Sequence, residues 1–289
     1  MRLDDERESS NIEDVRGSGG GGGGRMPLRI GGIGGVVLIL GALYFGVDPQ
    51  IVLNLLEGSA GSAPTSQTVA QAPSPADDAQ KQFIARVLAS TEDVWTSYFT
   101  QMGKTYHAPH LVLFSGGTNS ACGYAQTASG PFYCPADQKV YLDLGFFQEL
   151  QDRLGAGGEF ARAYVVAHEV GHHVQNQLGI MQQMNQQYGA AQRGASSQSV
   201  RLELQADCFA GVWAKRADDA KHILENGDVE SGLNAAAAVG DDRLQKETQG
   251  YVVPDSFTHG TSAQRVTWFR RGLGSGDIKQ CDTFSAPSL

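Results

Sequence analysis

Residues 167–175 read AHEVGHHVQ and place His168, His172 and His173 around Glu169, in a chain with only seven histidines. On an α-helix, residues four apart share a face, so His168 and His172 can direct both imidazoles at one cation. His173 stands about 140° round the helix from His168 and cannot join them, which leaves it a packing or hydrogen-bonding role. Glu169 follows His168 directly and can reach a water beside such a cation without binding the cation itself. That is the position of a general base. Two histidines do not complete a site, however. The metzincin continuation HExxHxxGxxH is absent, because Gln175 replaces its glycine and Leu178 its third histidine.

The segment RLELQADCFAG, residues 201–211, offers what is missing. Glu203 and Asp207 are four apart on one helical face, among Leu202, Leu204, Ala206, Phe209 and Ala210. Carboxylates on so apolar a helix need a cation or hydrogen-bond donors. Glu203 can complete a His₂Glu donor set, which holds catalytic zinc with one position left for water. Asp207 can accept the second ring N–H of a ligating histidine and fix its tautomer. Zn²⁺ is therefore the expected cofactor, and the expected chemistry is peptide-bond hydrolysis with Glu169 as base.

The oxyanion of such a reaction needs a further donor. His259, in the polar turn SFTHGTS ahead of a helix, is the candidate, with Arg265 and Tyr251 as lesser ones. The alternative is a non-enzymatic, zinc-stabilised envelope protein of binding or chaperone-like character. A purely structural zinc usually has four protein ligands and needs no base, which favours the enzyme. His107 and His110 form a second HxxH pair, but Pro109 prevents a regular helix there.

These side chains need elements to hold them. Apolar periodicity predicts helices over 78–102, 147–154, 159–178, 197–217, 218–225, 229–244 and 261–272. Short β-branched and aromatic runs between Gly, Asn and Pro turns predict strands at 111–114, 132–134 and 140–144. A helix, a few strands and then many helices make an α+β fold. Val140–Leu144 is a candidate edge strand for binding an extended peptide, or an interior strand.

The stretch IGGIGGVVLILGALYFGV, residues 30–47, carries no charge and is close to the length of about 20 residues that crosses a bilayer. Arg2, Arg7, Arg16, Arg25 and Arg29 precede it, whereas Lys81 is the first positive residue after it, so the N-terminus is expected in the cytoplasm. The expected order is a disordered cytoplasmic tail over 1–29, a transmembrane anchor over 30–47, a flexible linker over 48–80, and an extracytoplasmic domain over 81–289. A cleaved signal peptide fits less well, given the long charged leader and the poor cleavage site at Val47-Asp48-Pro49.

Four cysteines in a domain placed outside the cytoplasm favour two disulfides. Cys122 and Cys134 flank a short turn-containing segment, and pairing them leaves Cys208 with Cys281. The net charge of −9 gives no general reason to bind nucleic acid, and a peptide or protein is the expected partner.

The blocks HEVGHHVQ, ELQADCFAG, FYCPADQKVYLD and SFTHGTSAQR, together with RESSNIED near the N-terminus, closely resemble the YpfJ-like bacterial neutral zinc metallopeptidases. The resemblance implies a single-pass membrane protein with a zincin domain of the gluzincin type, zinc on His168, His172 and Glu203, and catalysis by Glu169. A more distant similarity joins the chain to the HtpX and CAAX-protease membrane metallopeptidases. These also have HExxH, then ExxxD, then a histidine with an arginine six residues later, here His259 and Arg265. The chain departs from that group in having Gly260 after the histidine, where proline is usual, and in lacking its several membrane spans.

Overall fold

The computed structural model describes residues 1–17, 75–127, 130–188 and 193–289. Strand β1 (Ile12–Asp14) precedes helix α1 (Pro75–Gln101), and β2 (His110–Phe114), β3 (Gly117–Ser120), β4 (Gly123–Gln126), β5 (Phe132–Cys134) and β6 (Lys139–Asp143) follow. The remainder is helical: α2 (Gly145–Asp152), α3 (Glu159–Gln177), α4 (Ile180–Tyr188), α5 (Gln198–Lys221), α6 (Asp228–Ala238), α7 (Asp241–Gln249) and α8 (Ser262–Ser275). The fold is α+β.

Four strands form one sheet in the order β1-β2-β6-β5, with β1, β2 and β6 parallel and β5 antiparallel to β6. Strand β6, the candidate edge, is interior. The edge on that side is β5, because the chain turns back after Cys134 and lays β6 between β5 and β2. Strands β3 and β4 make a separate hairpin. The Cys122–Cys134 disulfide ties this hairpin to β5, and Cys208–Cys281 ties α5 to the C-terminal segment.

Helix α3 is buried on nearly every face between Phe160 and Gln175, so that His168, Glu169, His172, His173 and Gln175 are buried along with its apolar residues. It packs against α5, and the contact is close because Gly171 has no side chain. A Cβ there would sit 3.0 Å from the Ala206 carbonyl oxygen. Helix α5 packs in turn on α8, again backbone to backbone, through Gly211 and Gly272. Side chains from α3, α5 and α8 thus converge in one buried layer. Capping fixes where these helices begin: Ser197 caps α5, and Thr261 with Gln264 forms a capping box on α8.

Two sequence-based boundaries shift. Residues 218–221 continue α5 instead of opening a new helix, and the chain leaves it at His222 with a φ of 53°. The expected helix over 229–244 divides at Gly240, where the start of α8 comes so close that a Cβ would meet the Ser262 backbone.

The expected disordered tail is corrected over residues 1–17, which are ordered and share one compact unit with the rest of the described chain. Ile12–Asp14 pairs with Leu111–Leu113, and Leu3 is buried. Among the described residues no helix is long and apolar enough to cross a membrane; the expected anchor over 30–47 lies outside them.

Candidate metal centre

Helix α3 presents His168 and His172 one turn apart, and α5 presents Glu203 opposite them. One ligand atom from each lies within 4.8 Å of the others. The Nε2 atoms face Glu203, at 3.1 Å for His168 and 3.4 Å for His172. Both Nδ1 atoms are occupied elsewhere. That of His168 lies 2.9 Å from Asp207 Oδ1, and that of His172 lies 2.8 Å from Gln175 Oε1. With the ring protons donated to these acceptors, each Nε2 keeps its lone pair for the centre. Two neutral imidazoles and one carboxylate in a buried layer fit a divalent cation, and this mixed N/O set is one that zinc accepts.

The electrostatics match. Burial alone would raise the Glu203 carboxyl, but His172 and His168 outweigh it and hold that group well below the ordinary carboxylate range. Burial alone would lower His168, but Asp207 and Glu203 outweigh it and raise the imidazole to about 9. Each group therefore stabilises a charge on its neighbour, and a cation at the centre would take over that role from the protons.

Asp207 is fully buried. Its second oxygen accepts from Arg265 Nε at 2.9 Å, and Tyr164 donates its hydroxyl to Oδ1. Arg265 Nη2 also reaches Asp207 Oδ1 at 2.9 Å. Arg265 is thus committed to Asp207 by two bonds. Tyr251 is 62% exposed and does not line the cleft.

Glu169, next to the cluster, lines a cleft of about 1020 Å³ and has no hydrogen-bond partner among the described residues. His259 lines the same cleft. Its turn is pinned by Asp241, whose Oδ2 accepts the backbone N–H groups of Thr258, His259 and Gly260 at 2.8, 2.7 and 3.0 Å. Asp241 Oδ1 lies 3.3 Å from His259 Nδ1. Phe132, Phe146, Leu150, Met181 and Leu244 give the cleft apolar walls, and Gly130 to Tyr133 bring β5 to its margin.

His173 faces away from the cluster. Its Nδ1 lies 3.1 Å from the Tyr133 hydroxyl and its Nε2 lies 2.6 Å from the His107 carbonyl. Burial lowers this imidazole to about 4. It is a neutral strut between α3, β5 and the segment before β2. His107 offers its carbonyl there, and His110 pairs with Glu13; they form no second cluster.

Three residues of the centre escaped the sequence reading. Gln175 orients His172 and itself donates to the Leu202 carbonyl at 2.7 Å. Tyr164, one turn before His168, carried a signal in its spacing. Asp241 carried none, because its partners lie in a loop 17 to 19 positions away.

Residues 1–284 match the family described as "Putative neutral zinc metallopeptidase". The chain is 50% identical to the protein YpfJ of Escherichia coli (strain K12), across 98% of this chain and 99% of that one. It is 46% identical to the protein Mb2605 of Mycobacterium bovis, across 73% of this chain and 74% of that one. No solved structure matches.

Proposed function

The chain belongs to the neutral zinc metallopeptidase family, and from that premise we propose that it is a membrane-attached zinc endopeptidase acting outside the cytoplasm. The observation that carries this reading is the three-residue donor set His168, His172 and Glu203 at the floor of an open cleft, with the unpartnered Glu169 carboxylate beside it. A structural zinc site would be closed by a fourth protein ligand.

Zinc, when bound by His168, His172 and Glu203, supplies a Lewis acid that polarises the scissile carbonyl and acidifies the attacking water. Glu169 takes the proton of that water and passes it to the departing amine. Asp207 and Gln175 hold the two imidazoles in the tautomer that keeps Nε2 free. His259, which lines the cleft, donates to the oxyanion, and Asp241 holds its turn in place. The substrate lies extended along β5, adding main-chain hydrogen bonds at the sheet edge while its side chains meet the apolar walls.

Two disulfides support an oxidising compartment for the domain. The uncharged stretch 30–47 supports membrane attachment.

The test is Glu169→Gln in the zinc-loaded full chain, assayed against a denatured protein mixture with cut sites mapped. Hydrolysis should fall by about 10²–10⁴-fold with zinc stoichiometry unchanged. Undiminished cutting removes Glu169 as the base. Zinc binding by the wild type with no cutting of any substrate favours the non-enzymatic reading.

A further inference from the structure

The first seventeen residues are bound into the domain by side chains that only they supply. Glu92 of α1 is buried, and among the described residues its carboxylate is satisfied entirely from this segment. Ser9 Oγ donates to it at 2.5 Å, Arg7 Nη2 at 2.7 Å and Asn11 Nδ2 at 2.8 Å. A buried carboxylate stripped of its donors is costly, so the groove around Glu92 is shaped for this occupant.

The remaining contacts run the length of the segment. Leu3 is buried in the main core cluster. Ser9 N–H donates to the Ala85 carbonyl at 3.0 Å, and Val15 N–H donates to the Leu113 carbonyl at 2.9 Å. Glu13 pairs with Lys139 at 2.7 Å, and Asp14 with Lys81 at 2.9 Å. Strand β1 lies parallel to β2, and β2 to β6, so it completes the sheet that ends at the cleft.

A segment folded into the domain cannot stand across a bilayer from it. We infer that residues 1–17 occupy the same side of the membrane as the metal centre. The arginine bias around 30–47 points the other way, to a cytoplasmic N-terminus and a single crossing. Charge bias is a statistical preference of insertion, whereas the docked segment is a set of specific contacts that a crossing would forbid.

The experiment compares Glu8→Cys with Asp255→Cys in the full chain, expressed in a bacterium and probed in intact spheroplasts with a membrane-impermeant maleimide. Both positions are exposed, and the native cysteines are paired, so only the introduced thiol reacts. Labelling of both at equal rates is expected. Labelling of neither until the membrane is opened also supports a shared side, while removing the extracytoplasmic reading above. Labelling of Asp255→Cys alone, with Glu8→Cys protected, overturns the inference. Deuterium exchange on the membrane-bound wild type gives a second readout. The Val15 amide, bonded to the Leu113 carbonyl, should exchange slowly, and its exchange at the rate of an unstructured peptide would overturn the docking.

Discussion

His168 Nδ1 lies 2.9 Å from Asp207 Oδ1, and the same carboxylate takes two bonds from Arg265. Orientation of one imidazole therefore depends on a buried ion pair between α5 and α8. Asparagine at 207 keeps the shape but offers one acceptor oxygen, so either His168 or Arg265 loses its partner. Asp207→Asn should weaken zinc binding by about 10–100-fold. It should also lower stability by about 3–5 kcal/mol, since Arg265 becomes a buried charge without full compensation. Chelator competition and thermal unfolding measure the two effects. Wild-type affinity in a folded Asp207→Asn protein would show that this carboxylate does not set the His168 tautomer.

Asp241 and His259 should behave as one unit. Three backbone N–H groups of the His259 turn end on one Asp241 oxygen, so without it the turn loses its register. His259→Gln and Asp241→Ala should each lower kcat by about 10²–10³-fold, the scale of a lost oxyanion donor. The double variant should be no slower than the slower single one, because residues acting as a unit are not additive. Zinc stoichiometry should be unchanged in all three. Multiplying losses would mean that Asp241 acts on something other than His259.

The approach of α5 to α8 rests on Gly272, where a Cβ would overlap the Cys208 carbonyl and lie 2.9 Å from the Val212 nitrogen. Both obstacles are backbone and cannot swing aside. Gly272→Ala should therefore separate the helices that carry Asp207 and Arg265, with a loss of about 1–3 kcal/mol typical of overpacking. Calorimetry should register a fall in Tm of about 2–4 °C for each kcal/mol lost. An unchanged Tm would mean that the helices slide apart freely.

What the sequence disclosed follows the range of the interactions. His168, Glu169 and His172 were legible because a helix of fixed period converts their spacing into a shared face, and Glu203 with Asp207 repeats the case on α5. The disulfide partners were legible from loop length. The edge strand was not, since only the pairing of β6 with β2, some thirty positions away, decides which of β5 and β6 is outside. In the sequence Gln175 signals only the absence of a metzincin glycine, because its partners Leu202 and Gln205 belong to another helix. Strand β1 was hidden most completely. Its three residues carry one apolar side chain, Ile12, and owe their conformation to Leu111–Leu113, almost a hundred positions away.

The ion pairs of that strand make its docking sensitive to acid. Asp14 bonds with Arg16 at 2.8 Å and with Lys81 at 2.9 Å; Arg16, against the opposing effect of burial and helped by Lys81, holds the Asp14 carboxyl well below its ordinary value of 3.8. A carboxyl whose pKa is depressed on folding stabilises the folded state above its unfolded pKa, and this contribution is lost as pH falls through the folded pKa. Asp14→Asn should therefore lower the Tm at neutral pH, where the wild-type carboxylate is charged in both states. The gap between the two proteins should hold constant down to about pH 4 and narrow below it, as the wild-type group takes up its proton. Parallel melting curves across that window measure the gap. A gap that widens in acid would reverse the sign and show that Asp14 does not anchor the strand through its charge.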